Sequence, residues 1–105
     1  MKNLHNVTHE RQVRPAYPGE VIADILEDIE ITQTQFAEVI GVSQHTVEKI
    51  VQGREPITAD LAIRIGKTLG NGHQLWLNLQ QKVDIWDAIQ VNREEYGKVT
   101  TIVVV

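Results

Sequence analysis

The 105-residue chain contains no cysteine. That excludes a disulfide framework and any cysteine-ligated zinc site. It has no run of about 18 apolar residues, so no transmembrane helix is expected. The first ten residues, M-K-N-L-H-N-V-T-H-E, lack the apolar core of a secretory signal, and the expected setting is the reducing cytoplasm. Catalytic signatures are missing as well: no G-x-S-x-G, no phosphate-binding loop, no H-E-x-x-H. His5, His9, His45 and His73 have no metal-ligand spacing; His5 and His9 stand at i and i+4, but near two helix breakers. No enzyme, metal or cofactor is expected.

Basic charge is also scarce. The net charge of −4 is unlike that of a bulk nucleic-acid binder, which is usually basic. Its distribution matters more. Residues 19–40 carry Glu20, Asp24, Glu27, Asp28, Glu30 and Glu38 without one lysine or arginine. Residues 41–70 mix Lys49, Arg54, Arg64 and Lys67 with Glu48, Glu55 and Asp60. Such segregation suggests two surfaces for two partners.

Pro15 and Pro18 discourage helix before them, so residues 1–17 read as an extended arm. A first helix starts near Pro18-Gly19-Glu20, with Val21, Ile22, Ile25, Leu26 and Ile29 as its core stripe. Its carboxylates form either a solvated face or a docking surface for a basic partner. Asp28 and Glu30 sit at the end where the helix dipole disfavours negative charge, which argues for another use of that charge.

The stretch 32–53 is the most informative. Thr32 followed by Gln35 is a capping-box pattern. Phe36, Val39 and Ile40 give the helix an apolar face, and Gly41 can end it. Ser43 caps another helix at once, with Val47, Ile50 and Val51 inward and Gly53 closing it. Two helices joined so tightly must cross at a large angle, the helix-turn-helix geometry. The second helix turns Gln44, His45, Glu48 and Lys49 outward, a surface suited to a DNA major groove. Gln44 and His45 stand where base contacts are made, and glutamine can pair bidentately with adenine. Thr46 offers a hydroxyl and a methyl. Ser43 opens a helix N-terminus that can meet phosphate. Lys49, Gln52 and Arg54 follow as phosphate contacts, and Gln33 either bonds a phosphate or braces a reading side chain. Glu48 is discordant: it repels phosphate unless it accepts from a cytosine amino group.

Thr58 caps a fourth helix with Leu61, Ala62, Ile65 and Leu69 inward and Asp60–Arg64 as an exposed pair; Gly70 ends it. A fifth helix is expected over 73–91. Leu75, Leu79 and Trp86 make one apolar stripe, and Trp76 and Val83 a second. That exceeds what one small core absorbs, so Leu75, Trp76, Leu79, Val83 and Trp86 are assigned to a homodimer interface; a folded-back tail is the alternative. The remainder, 92–105, ends in V-T-T-I-V-V-V, β-branched and uncharged. It suits a short strand paired with the arm, a second subunit or a partner's sheet edge; a disordered end is the alternative.

Four segments together resemble a known family: Y-P-G-E-V-I-A-D-I-L, I-T-Q-T-Q-F-A-E-V-I-G-V-S, I-V-Q-G-R-E-P-I-T-A-D-L-A-I-R-I-G-K-T-L-G and L-W-L-N-L-Q-Q-K-V-D-I-W. They are similar to the HigA-type antitoxins, a branch of the Xre/Cro/CI-like helix-turn-helix regulators. The likeness spans about residues 15–89, and P-G-E, G-R-x-P-I-T-A-D-x-A and W-L-N-L-Q are its most specific elements. It implies an all-α, five-helix lambda-repressor-like domain over 18–91 and a homodimer. It also implies two partners: a palindromic double-stranded operator, and a basic HigB toxin, an mRNA-cleaving RNase of the RelE type. On that reading the first helix, through Glu20, Asp24, Glu27 and Asp28, covers the toxin. Family members often carry arginine where Gln44 stands, and a small or neutral residue in place of Glu48. A stand-alone repressor without a toxin is the alternative.

Overall fold

A computed structural model describes residues 13–103. They form five helices and no strand: α1 Pro18–Asp28, α2 Gln33–Ile40, α3 Gln44–Val51, α4 Ala59–Leu69 and α5 His73–Gly97. Most of the proposed arm, with His5 and His9, lies outside the described residues, as do Val104 and Val105.

The starts of the first four helices follow from local chemistry. Pro18 opens α1 behind an extended Tyr17, and the Glu20 carboxylate accepts from the Tyr17 backbone N–H at 3.2 Å. Thr32 Oγ1 accepts from Gln35 N–H at 3.0 Å while Gln35 Oε1 accepts from Thr32 N–H at 2.9 Å, a reciprocal capping box. Ser43 Oγ accepts from Thr46 N–H at 3.0 Å, and Thr58 Oγ1 from Leu61 N–H at 3.3 Å.

The core lies in residues 16–81, one of two compact units. It is built from Ile22 and Leu26 of α1, Phe36, Ala37 and Ile40 of α2, and Val47 and Ile50 of α3. Ile57, Leu61, Ala62 and Ile65 close it from the α4 side, and Trp76 from α5. Apolar burial on this scale supplies most of the folding free energy. Trp76 is fully buried, and its indole N–H donates to Asn71 Oδ1 at 2.9 Å. Gln80 fixes the loop before α4: its Oε1 accepts from the Ile57 N–H at 2.7 Å. Two residues of the W-L-N-L-Q run therefore have structural duties, one filling the core and one satisfying a loop donor.

Gly19 explains the P-G-E element. A Cβ there would fall inside the Ile50 carbonyl, 2.7 Å from its carbon and 2.9 Å from Val51 Cα. The first turn of α1 thus sits directly on the backbone at the end of α3, and only glycine fits.

The second unit comprises, among described residues, 13–15 and 82–103. Arg14 Nε and Nη2 donate to the two Asp87 carboxylate oxygens at 3.1 and 3.0 Å. Val83 is buried. Val13, Pro15, Lys82, Ile85, Trp86 and Ile89 line an open apolar groove of about 680 Å³.

Ile29 and Val39, read as inward, are 46 % and 64 % exposed, at the margins of their stripes. Three further expectations need correction. First, helical structure resumes after 91 and continues to Gly97. Asn92 leaves helical geometry (φ −118°, ψ 26°), so the boundary expected at 91 is present as a kink, with further helix beyond it. Second, residues 99–103 form no strand, since no ladder partner lies beside them among the described residues. Third, Trp76 and Val83 are 0 % and 4 % exposed within their own chain, so neither offers surface to a second subunit. Their stripe is the inward one.

Candidate nucleic-acid interface

The reading geometry is set by α2, the turn and α3. Gly41 takes the left-handed conformation (φ 79°) that ends α2, and its N–H and that of Val42 both return to the Ala37 carbonyl, at 2.9 and 3.0 Å. The chain then enters the Ser43 cap with no slack. Arg64 of α4 braces this turn. Its Nη1 donates to the Ile40 carbonyl at 2.8 Å and to the Gly41 carbonyl at 3.3 Å, while its Nε donates to Asp60 at 2.9 Å. A cation on the last carbonyls of α2 complements the helix dipole. The Asp60–Arg64 pair read from sequence exists, but its further role is to aim the guanidinium at a turn 24 residues back.

α3 packs Val47 and Ile50 inward against α2 and α1. Its outward row matches the candidate residues. Ser43, Gln44 and His45 are exposed, and Thr46 is half-buried with its hydroxyl 2.9 Å from that of Ser43. Gln33 is half-buried at the start of α2; Gln52 and Arg54 are exposed just past α3.

These side chains are not idle. Gln44 Nε2 donates to Glu48 Oε2 at 3.3 Å, and His45 Nδ1 lies 3.8 Å from Glu48 Oε1. Lys49 Nζ pairs with Glu55 at 3.2 Å, and Arg54 Nη1 donates to Gln52 Oε1 at 3.4 Å. Gln44, His45 and Lys49 thus each lie against a carboxylate, and Arg54 against a neutral amide. Glu55, Arg64 and Gly19 were missed as contributors. Each acts on a residue brought near by a loop or a helix crossing, and no local period signals that.

On α1, Glu20, Asp24, Glu27 and Asp28 are all exposed. Glu20 also serves as a capping acceptor, so its charge is partly used at home. Among the dimer candidates, Leu75 is exposed and Leu79 and Trp86 are half-buried. Leu79 packs against its own core. The buried Trp86 indole N–H has no partner among the described residues. No cluster of three or more His, Asp or Glu that could hold a metal occurs among the described residues. No helix among them is long and apolar enough to cross a membrane.

A five-helix domain with a braced turn and an exposed polar row on its third helix defines a helix-turn-helix regulator. A helix-turn-helix family model (HTH_3) matches residues 22–76. The chain is 39% identical over 83 residues to antitoxin HigA-1 of Vibrio cholerae, covering 78% of each. Among solved structures, it is similar to a candidate antidote protein of a plasmid maintenance system from Nostoc punctiforme. That likeness has 58% identity and a TM-score of 0.76, over 87% of this chain and 100% of that one. It is also similar to Pseudomonas aeruginosa antitoxin HigA, solved with the higBA promoter, at 32% identity and a TM-score of 0.81 over 86% and 100% of the two chains. The chain belongs to the helix-turn-helix family, in its HigA antitoxin branch.

Proposed function

We propose that the chain is an antitoxin that represses its own operon. As a homodimer it binds a palindromic operator through α3, and it neutralises a basic HigB/RelE-type mRNA-cleaving toxin through α1. The observation that carries this reading is the capped, Arg64-braced turn that holds the polar row of α3 outward. Ser43 and the α3 N-terminus meet a phosphate; Gln44, His45 and Thr46 reach base edges. Lys49, Gln52, Arg54 and Gln33 contact the backbone. Because Glu55 holds Lys49, one head binds weakly, and two heads on one operator supply the affinity. The exposed Ile85 and Ile89 beside Trp86 supply the dimer surface. The chain acts by binding, not catalysis, and does so in the cytoplasm.

The test is binding to the DNA upstream of its own reading frame, compared with shuffled DNA between 50 and 200 mM salt. Preference for the upstream duplex, with affinity falling steeply as salt rises, is expected. Equal, salt-insensitive binding to both would sink the repressor reading. Co-expression with the neighbouring reading frame tests the other half. The chain should relieve that product's toxicity, and an Asp24→Lys/Glu27→Lys variant should fail to do so while still binding DNA. A neighbour without toxicity would leave a stand-alone repressor.

A further inference from the structure

Glu48 looks misplaced on a face meant for DNA, since a carboxylate near phosphate is repelled. Its contacts give it another task. Each of its two oxygens faces a base-reading side chain: Oε2 accepts from Gln44 Nε2 at 3.3 Å, and Oε1 lies 3.8 Å from His45 Nδ1. All three residues share α3, with Gln44 and Glu48 one turn apart, where side chains meet.

We propose that Glu48 is a positioning residue for base recognition, which fixes the Gln44 amide in one of its two orientations. The inference rests on the DNA-binding reading above. A free glutamine amide can present its oxygen or its nitrogen to a base at almost equal cost. An ionised carboxylate only accepts, so the amide flip that would turn Gln44 Oε1 toward Glu48 sets two acceptors against each other. The surviving orientation spends one N–H on Glu48. It keeps the second N–H and the carbonyl oxygen for the base. That donor–acceptor pair is what the N7 and N6 amino group of adenine require. The helix therefore accepts some loss of general DNA affinity in exchange for a defined reader.

Glu55 provides an internal control. It is an acid of equal charge, but it touches Lys49 rather than Gln44. Removing either acid lowers the repulsion of phosphate; only removing Glu48 frees the amide.

The experiment selects a duplex from a random library with the wild-type chain and measures affinities for it and its single-pair variants. Gln44→Ala marks the base pair that Gln44 reads. Glu55→Gln is expected to bind every duplex more tightly, with the ratio between sequences unchanged. Glu48→Ala is expected to bind most duplexes more tightly, yet to lose about tenfold of the discrimination at that one pair. Glu48→Gln, which keeps an acceptor oxygen, should retain much of the discrimination. Thermal melting of each variant, expected to lie close to wild type, separates this from damage to the fold. Uniform tightening by Glu48→Ala, with discrimination intact, overturns the proposal while leaving the DNA-binding reading standing. A wild-type chain that enriches no sequence overturns both.

Discussion

Two tryptophans on α5 mark two different regimes of this molecule. Trp76 is wholly buried in the core of residues 16–81, with its indole N–H bonded to Asn71. Trp86, in the second unit, is half-buried beside exposed Ile85 and Ile89, and its indole N–H has no partner among the described residues. The first has every contact a tryptophan asks for within its own chain. The second has its indole nitrogen sealed from solvent without a partner, beside apolar side chains that remain exposed. One helix can thus finish a core with its first half and leave its second half incomplete.

The sharpest way to break this contrast is to truncate both side chains. Trp76→Ala should cost about 3–5 kcal/mol and leave little folded protein at ambient temperature. Trp86→Ala should cost about 1 kcal/mol or less within the monomer, but shift sedimentation toward the monomer. Similar stability losses from both, measured by urea unfolding at one protein concentration, would erase the distinction. Ile89→Glu is a cleaner probe of the subunit surface than any change at Leu79, which packs on its own core.

A smaller effect tests how firmly the completed half holds its turn. Arg64→Ala removes the donor to the Ile40 and Gly41 carbonyls. It should cost about 1–2 kcal/mol, less than for a buried charge because the side chain is partly exposed. It should also weaken DNA binding. Lost stability with unchanged DNA affinity would mean the turn keeps its shape without the brace.

The smallest expected effect has the opposite sign. Glu30 holds a left-handed backbone (φ 59°) just beyond α1, where its N–H and that of Ile31 close the helix on the Glu27 and Leu26 carbonyls. Glycine belongs in that conformation, and a carboxylate opposes the dipole there. Glu30→Gly should raise stability by about 0.5–1 kcal/mol, read as a higher melting temperature. A lower melting temperature would mean that Glu30 makes a stabilising contact of its own.

Legibility in the sequence followed the same division. The Thr32, Ser43 and Thr58 caps and the Gly41 and Gly70 stops are local signals, and all five stand where the pattern put them. The core stripes of α1 to α4 were readable because each helix has a single apolar face, but not their margins: Ile29 and Val39 fit the period and are exposed. On α5 two stripes competed, and periodicity cannot say which one turns inward; Trp76 and Val83 were assigned outward and lie inward. The helix beyond the break at Asn92 was not expected, because residues 93–97 carry no apolar period. At the reading face, the residues that project were visible from spacing. The ion pair of Lys49 with Glu55 and the reach of Arg64 to Ile40 were not, because loops and crossings join them.

The seat of α1 on α3 has a mechanical consequence. Most helix contacts are cushioned by side chains, whose rotamers and small shifts let one element move while its neighbour stays put. Between Gly19 and Ile50 there is no such cushion: backbone rests on backbone. A shift of α1 at Gly19 therefore cannot be absorbed by a side-chain rotamer; it must move the Ile50 backbone or open the contact.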